Sequence, residues 1–284
     1  MATPGSPSPA DWLELCRRAA HRARAAVQGY ATTAERAVQT GRGEGGDMAL
    51  VIDRAAEDAI LAELQALGRP LRAVSEERGE VALHGGGPTR VVIDPVDGSL
   101  NAKRGLPFAC VSIAVAHGEH MDDVQVGFVA ELGTPRDWWA VRGHGAFVDG
   151  ERLAPLEPGP LELLGLETAR PEAVAAAAES IGAVEAERVR CLGSVALSLC
   201  LVAAGQLDAM LSLRPIRSVD AAAGQLIVRE AGGAVRFPEA DALDLAMRSR
   251  VLAARDRQLV AGLLGAFPSR SGEHEARPSA RGPC

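Results

Sequence analysis

Two aspartates and a Gly-Ser pair stand directly after an apolar run, in segment 91–99 with the sequence VVIDPVDGS. The apolar run predicts a buried strand, and Pro95 is expected to end it because proline has no backbone N–H for the ladder. Asp94 would then lie at the strand end. Gly98 and Ser99 can place backbone N–H groups and a hydroxyl around the same small volume. Because Asp94 and Asp97 would repel each other without a cation, the segment predicts a metal-assisted phosphoryl site.

Three more acids follow comparable signals. A short β-like run at 71–74 ends at Glu76 and Glu77, and Asp220 opens an alanine-rich pattern that predicts a helix over 220–231. A second interpretation stays open at these positions. Aspartate is a good helix N-cap, which would explain Asp220, and Asp, Gly and Ser are common in turns, which would explain segment 94–99.

Taken together, these segments resemble the inositol monophosphatase family of magnesium-dependent, lithium-sensitive phosphatases. The family pattern is an acidic pair after a strand, then Asp-Pro-Ile/Val-Asp-Gly-Thr/Ser-x-Asn, then Trp-Asp-x-Ala-Ala-Gly. This chain carries matching segments at 76–77, 94–101 and 219–224 in the same order, with Val219 in place of the tryptophan. Asp47 and Asp53 also stand at the expected spacing. The resemblance covers residues 11–265 and is strong as a compound signal.

The resemblance implies a set of metal ligands. They are the side chains of Glu76, Asp94, Asp97 and Asp220 and the backbone carbonyl of Val96, with Glu77 outside them holding a water on the metal. Oxygen ligands without His or Cys suit Mg²⁺, with Mn²⁺ as a substitute, better than zinc.

The resemblance also assigns catalytic and phosphate-binding roles. Asp53 and Ser99 would position the attacking water and draw off its proton. The backbone N–H groups of Gly98 and Ser99 would bind phosphate oxygens at a helix N-terminus. The alternatives are a helix N-cap for Asp53 and a turn hydroxyl for Ser99.

Two arginines separate this chain from the inositol-specific members, which carry a glutamate shortly before the last aspartate. Between Asp208 and Asp220 this chain has no acid and instead has Arg214 and Arg217. A guanidinium can bind a second phosphate bidentately. The basic version resembles archaeal-type members that also cleave fructose 1,6-bisphosphate, so both arginines are candidate substrate ligands. The alternative is that each pairs with a surface acid.

Composition limits the classes of partner. The chain has 284 residues and a net charge of -7, with no Lys/Arg run, which argues against nucleic-acid binding. No stretch of about 18 apolar residues predicts a membrane span. Five cysteines without a C-x-x-C pair suit free thiols in the cytoplasm. The expected partner is a small-molecule phosphate ester, and the resemblance implies a homodimer.

The elements that must hold these residues change character along the chain. Residues 1–10 and 268–284 are expected to be disordered tails. Residues 11–154 predict an N-terminal α+β domain with helices at 11–30 and 53–67 and then mainly strands, including 108–116 and 124–130. Residues 155–160 are Pro-rich and mark the domain boundary. Residues 155–267 predict an α/β domain with alternating strands and helices, including a helix at 171–180. The family implies one layered α-β-α-β-α sandwich with the metal site between the halves.

One motif points elsewhere. Segment 41–46 satisfies G-x-G-x-x-G, but neither a preceding strand nor a β-α-β unit is predicted around it, so a mobile loop is favoured over a dinucleotide site. The sequence leaves open whether this loop closes over the acids.

The predicted function is therefore Mg²⁺-dependent hydrolysis of a phosphate monoester of a small polyol or sugar. Fructose-1,6-bisphosphatase and 3'-nucleotide phosphatase activities are alternatives with the same metal core. An inactive scaffold that binds sugar phosphate is the alternative from another class, and it would be expected to have lost the ligand carboxylates.

Overall fold

Two sheets of unequal size organise the part of the chain that the computed structural model describes, residues 7–46 and 48–268. Within it the helices are α1 (Pro9–Gln28), α2 (Thr33–Arg36), α3 (Val51–Ala66), α4 (Ser99–Arg104), α5 (Pro171–Ala176), α6 (Ala178–Ala183), α7 (Val195–Ala203), α8 (Ser218–Glu230) and α9 (Arg257–Ala266). The strands are β1 (Gln39–Arg42), β2 (Met48–Leu50), β3 (Leu71–Ser75), β4 (Gly79–Leu83), β5 (Arg90–Asp97), β6 (Cys110–Ala116), β7 (Val124–Glu131), β8 (Asp137–Val141), β9 (Gly145–Val148), β10 (Glu151–Arg152), β11 (Leu163–Glu167), β12 (Arg188–Arg190), β13 (Ala209–Ser212), β14 (Ala234–Arg236) and β15 (Leu252–Ala254).

The larger sheet has the strand order β10-β9-β8-β7-β6-β5-β3-β4. β3 and β5 are parallel, and the other described pairs of this sheet are antiparallel. Side chains of a strand alternate between faces, so Val91 and Ile93 join the core under α1 and α3, whereas Val92 joins the core on the opposite face. Both faces of this sheet are therefore covered.

Helices α7 and α8 fill the space between the two sheets. Their side chains share one buried core with β5, β6 and β7 on one side and with Met210 and Val235 of the smaller sheet on the other. The smaller sheet has the order β12-β11-β13-β15-β14, and its outer face packs against α6 and α9 through residues such as Val260 and Leu263. The layers run α-β-α-β-α, which confirms the predicted sandwich.

The strand predicted at 91–93 is confirmed, but the expectation that Pro95 ends it was wrong. β5 continues to Asp97, because the pairing with β6 shifts register between Asp94, opposite Ser112, and Asp97, opposite Cys110. A bulge tolerates proline, since the residue inserted there is not required to donate to the ladder. Ser112 and Cys110 are two residues apart and share a face, so the bulge also turns Asp94 and Asp97 to one face, the one covered by α7 and α8.

Several other helices and strands differ in their limits from the predicted ones. Helix α1 begins at Pro9, inside the predicted tail, because Ser8 caps it; residues 1–6 and 269–284 of the predicted tails lie outside the described residues, as does Asp47. The helix predicted at 171–180 is divided at Ala177, and β14, β15 and α9 were not predicted. Residues 155–160 form neither helix nor strand, but the division into two domains stays a prediction.

None of the described helices is long and apolar enough to cross a bilayer.

Candidate active site

Three acids from three elements converge at one edge of the larger sheet. Glu76 follows β3, Asp94 lies in the neighbouring parallel strand β5, and Asp220 lies in the first turn of α8. One carboxylate oxygen of each lies within 4.8 Å of the others. The parallel pairing explains the meeting of Glu76 and Asp94, because the carboxyl ends of parallel strands share an edge.

Burial and mutual repulsion make this cluster costly without a cation. Burial raises the pKa of Glu76 to about 7. It also raises the pKa of Asp94 well above its ordinary value, with a further increase from Glu76 and Asp97. The donor set consists of carboxylate oxygens alone, which fits a hard divalent cation such as Mg²⁺.

Glu77 has a buried carboxylate oxygen that could bind a water of a nearby cation. Its side chain is buried, and among the described residues its Oε2 has no hydrogen-bond partner; the nearest ionic contact is Arg54 Nη2 at 3.9 Å. Burial, followed by the charge of Glu76, raises the pKa of Glu77 to about 8. An unsatisfied buried carboxylate oxygen beside the three acids is a place where a water can be held.

Asp97 lies beside the three acids but is held differently. Its Oδ2 accepts hydrogen bonds from Ser194 Oγ and from the backbone N–H of Ala196, both at 2.6 Å, at the N-terminus of α7. Burial, followed by the charge of Asp220, raises its pKa to about 8. No local pattern predicts the contact between Asp97 and Ser194, because it joins residues 97 positions apart.

Ser99 and Asp53, predicted as a catalytic pair, are in hydrogen-bond contact. Ser99 Oγ lies 3.0 Å from Asp53 Oδ1 and 2.9 Å from the carbonyl oxygen of Val96, so its one proton can go to either acceptor. Asp53 is the third residue of α3 rather than its N-cap, and its Oδ2 accepts the backbone N–H of Leu50 at 2.7 Å. Burial raises the pKa of Asp53 to about 6.

The turn after Asp97 requires glycine. Gly98 has φ +87°, and a Cβ there would lie 2.7 Å from the carbonyl oxygen of Phe108. Helix α4 begins at Ser99, immediately after it. The backbone N–H groups of Gly98 and Ser99 stay predicted phosphate ligands.

Arg217 contacts the acids themselves. Its Nη2 donates to Glu76 Oε1 at 2.6 Å and lies 3.6 Å from Asp220 Oδ1, and its Nη1 donates to the carbonyl oxygen of Gly45 at 3.3 Å. Asp220 also accepts the backbone N–H of Arg217 at 2.9 Å, so the predicted N-cap role passes to Arg217 while Asp220 is the third helical residue.

A cleft of about 270 Å³ opens beside Asp220. Arg214 and Arg217, the two predicted substrate ligands, both line it. Its wall consists of Gly45, Thr168, Arg170, Arg214, Pro215, Ile216, Arg217, Asp220 and Arg248. Arg170 and Arg248 were missed, because they lie far from the other arginines in the chain and carry no local motif.

The glycine-rich segment 41–46 lies against the acidic pair. The backbone N–H groups of Glu44 and Gly45 donate to the carbonyl oxygens of Glu77 and Glu76 at 3.2 and 2.9 Å. Contrary to the sequence analysis, a strand does precede it: β1 pairs with β2 in an antiparallel hairpin. A hairpin lacks the β-α-β unit of a dinucleotide site, so the match to G-x-G-x-x-G does not indicate one here. The hydrogen bonds instead place this loop against the acidic site.

A comparison with known proteins identifies the family of the chain. The model of the inositol monophosphatase family matches residues 9–271. The chain belongs to the inositol monophosphatase family. Membership makes it a phosphoric monoester hydrolase.

Individual family members are similar over most of their length. The fructose-1,6-bisphosphatase/inositol-1-monophosphatase of Methanothermobacter thermautotrophicus is 34% identical over 262 residues, which cover 87% of this chain and 93% of that relative. The crystal structure of the extragenic suppressor protein suhB from Bartonella henselae has a TM-score of 0.77 at 25% identity and covers 92% of this chain and 99% of its own. The inositol monophosphatase from Anabaena has a TM-score of 0.71 at 26% identity, covering 89% and 95%.

Proposed function

We propose that this phosphatase hydrolyses a phosphate monoester of a small polyol or sugar in a Mg²⁺-dependent reaction, with Mn²⁺ as a substitute. The observation that carries the proposal is the convergence of Glu76, Asp94 and Asp220 next to an arginine-lined cleft. A relative with a bifunctional phosphatase name supports the same substrate class.

The metal would be held by Glu76, Asp94 and Asp220, with Asp97 and the carbonyl of Val96 completing the set and Glu77 holding a water nearby. A bound divalent cation supplies positive charge that neutralises the phosphate and lowers the pKa of water. The protein contributes the fixed positions: two strand ends and one helix start hold the three carboxylates without a flexible segment between them and the core.

Ser99 and Asp53 would move the proton of the attacking water. Ser99 Oγ accepts that proton while its own proton passes to Asp53 Oδ1 over 3.0 Å. A carboxylate with pKa of about 6 is ionised at neutral pH and still basic enough to accept it. The bond from Leu50 N–H to Oδ2 keeps Oδ1 turned towards Ser99.

The cleft favours a substrate with a second anionic group. Four arginines line it: Arg170, Arg214, Arg217 and Arg248. Their positive charge suits a sugar bisphosphate better than a monophosphate whose other groups are neutral hydroxyls. Fructose 1,6-bisphosphate is therefore a candidate beside inositol phosphate, and a 3'-nucleotide phosphate is a third. An inactive scaffold is disfavoured, since the acids are present and grouped.

We also propose a cytoplasmic homodimer. The cysteines of the described chain, Cys16, Cys110, Cys191 and Cys200, are free thiols, which suits a reducing compartment. Leu100, Leu106 and Phe108 leave about half of their surface exposed close together in the chain, and such apolar groups suit burial against a second copy.

A panel of phosphate esters tests the proposal. Purified protein is assayed with inositol 1-phosphate, fructose 1,6-bisphosphate, fructose 6-phosphate and adenosine 3',5'-bisphosphate, with Mg²⁺ and with EDTA. Phosphate is expected to be released from a sugar or inositol ester in the presence of Mg²⁺ but not in EDTA. Hydrolysis at an equal rate in EDTA would reject the metal-dependent mechanism.

A further inference from the structure

A buried glutamate outside the proposed catalytic set lies at the end of a strand in the smaller sheet. Glu167 is the last residue of β11, and only 1% of its surface is exposed. Burying a carboxylate is expensive unless hydrogen bonds compensate for the lost water. Its partners therefore show what this position does in the fold.

Both oxygens of Glu167 bind the start of α7. Oε2 accepts the backbone N–H of Gly193 at 2.9 Å, and Oε1 accepts the hydroxyl of Ser198 at 2.6 Å and the backbone N–H of Leu192 at 3.3 Å. These donors come from both sides of Ser194, the N-cap of α7. Glu167 thus fixes the approach to the helix and its first turn together.

The opposite side of the same turn binds residues 97–101, which include the proposed metal ligand Asp97 and the proposed catalytic Ser99. Ser194 Oγ and the N–H of Ala196 donate to Asp97 Oδ2, both at 2.6 Å. Asn101 Nδ2 donates to the carbonyl oxygen of Leu192 at 2.7 Å. A Cβ on Gly98 would lie 3.1 Å from the carbonyl oxygen of Gly193. Residues 192–196 thus form a bridge between Glu167 on the smaller sheet and residues 97–101 on the larger one.

We propose that Glu167 is a positioning residue that sets the place of the Asp97 carboxylate through the N-terminus of α7. The inference rests on the proposed role of Asp97 as a metal ligand. Two carboxylates share one helix start, where the peptide dipoles favour negative charge, and each limits how far the turn can move towards the other. Loss of Glu167 lets the turn shift, and Asp97 shifts with it.

Glu167→Gln is the main test. The amide keeps the volume, but its NH₂ must face either the Gly193 N–H or the Leu192 and Ser198 donors, so the hold on the turn weakens. Mg²⁺ binding is measured by calorimetry without substrate. The Kd for Mg²⁺ is expected to rise about tenfold, the scale of losing an outer partner of a metal ligand. Activity should recover as Mg²⁺ is raised to saturation.

Asp208→Asn is the matched control. Asp208 Oδ2 accepts the backbone N–H groups of Glu162 and Leu163, both at 2.8 Å, at the other end of the same strand. It therefore also holds two backbone N–H groups beside β11, but away from α7. This variant should lower Tm without changing the Kd for Mg²⁺.

Two outcomes would overturn the inference. An unchanged Kd in Glu167→Gln, with only a lower Tm as in Asp208→Asn, would make Glu167 a scaffold residue. If Glu167→Gln does not fold, Ser198→Ala removes a single bond to Glu167, and an unchanged Kd there has the same meaning. Failure of the wild type to bind Mg²⁺ would instead reject the proposed function, and this inference with it.

Discussion

Arg217 Nη2 lies 2.6 Å from Glu76 Oε1, so a cationic side chain of the arginine-lined cleft contacts a carboxylate of the proposed metal site. Burial opposes ionisation of the guanidinium, but Asp220 and Glu76 outweigh it and raise the pKa of Arg217. The Glu76 carboxylate is the partner of Arg217 and also a proposed ligand of the metal. The two cations therefore compete for it, which couples the cleft to the metal site.

Removing Arg217 should therefore strengthen metal binding while weakening the substrate site. In Arg217→Ala the Kd for Mg²⁺ is expected to fall, because Glu76 and Asp220 lose a competing cation. The KM for a bisphosphorylated substrate should rise. Calorimetry and steady-state kinetics check the two effects separately. A weaker affinity for Mg²⁺ would show that Arg217 supports the acids rather than competing for them.

Removing Arg214 should change the choice of substrate. Arg214→Ala is expected to lower kcat/KM for fructose 1,6-bisphosphate about tenfold to a hundredfold relative to inositol 1-phosphate, the value of a charge-assisted bond of about 1.5 to 3 kcal/mol. Arg18→Ala is the control, because Arg18 lies on α1, away from the cleft, and pairs with Glu63 of α3. Equal loss for both substrates would reject a second-phosphate contact.

The Ser99–Asp53 pair predicts a loss in kcat with binding retained. Ser99→Ala and Asp53→Asn should each lower kcat by about two to four powers of ten, the scale of general-base assistance, with smaller changes in KM. Asp53 also holds the N–H of Leu50, so Tm is measured in parallel. Near-normal kcat with a lowered Tm in Asp53→Asn would leave Asp53 with its helix role alone.

Metal removal should expose the repulsion among the acids. Activity is expected to disappear in EDTA and in Asp94→Asn, whereas the metal-free Tm of Asp94→Asn should exceed that of the metal-free wild type because one buried charge is gone. Thermal denaturation in EDTA gives the comparison. A lower metal-free Tm for the variant would identify Asp94 as a structural residue.

The raised pKa values also give a pH dependence. The folded-state pKa values, about 6 for Asp53, about 7 for Glu76 and about 8 for Glu77 and Asp97, exceed the ordinary values near 4. Between about pH 4 and pH 8 the folded metal-free protein then binds more protons than the unfolded chain, so its free energy of unfolding falls as pH rises.

Mg²⁺ binds the deprotonated acids, so the increase in Tm that it causes should grow over the same interval. Melting curves from pH 5 to pH 8.5, with Mg²⁺ or EDTA, check this. Asp94→Asn should have a shallower metal-free slope, because one of the groups with a raised pKa is gone. A metal-free wild-type Tm that rises steadily with pH would contradict the assignment.

The sequence predicts those parts of the site that have a signal within a few neighbouring residues. The strand before Asp94, the acids Glu76 and Glu77 and the helix at Asp220 each have a signal within a few residues, and the layered fold followed from the family resemblance. The contacts of Glu167 and of Ser194, and the place of Arg170 and Arg248 in the cleft, had no such signal, since they join distant segments of the chain. The break at Ala177 depends on how α5 and α6 pack, which a sequence pattern over 171–180 does not contain.

The bulge at Pro95 explains why the two aspartates of this segment stand three positions apart. In a regular strand an odd spacing sends two side chains to opposite faces, and here the extra residue corrects the parity. Deleting either Pro95 or Val96 would remove no acid and alter no charge. The two aspartates would then stand two positions apart, and a regular strand without the bulge would still turn both to the same face. Length at this point is therefore coupled to the bulge: a spacing of three positions requires the extra residue, whereas a spacing of two requires a regular ladder.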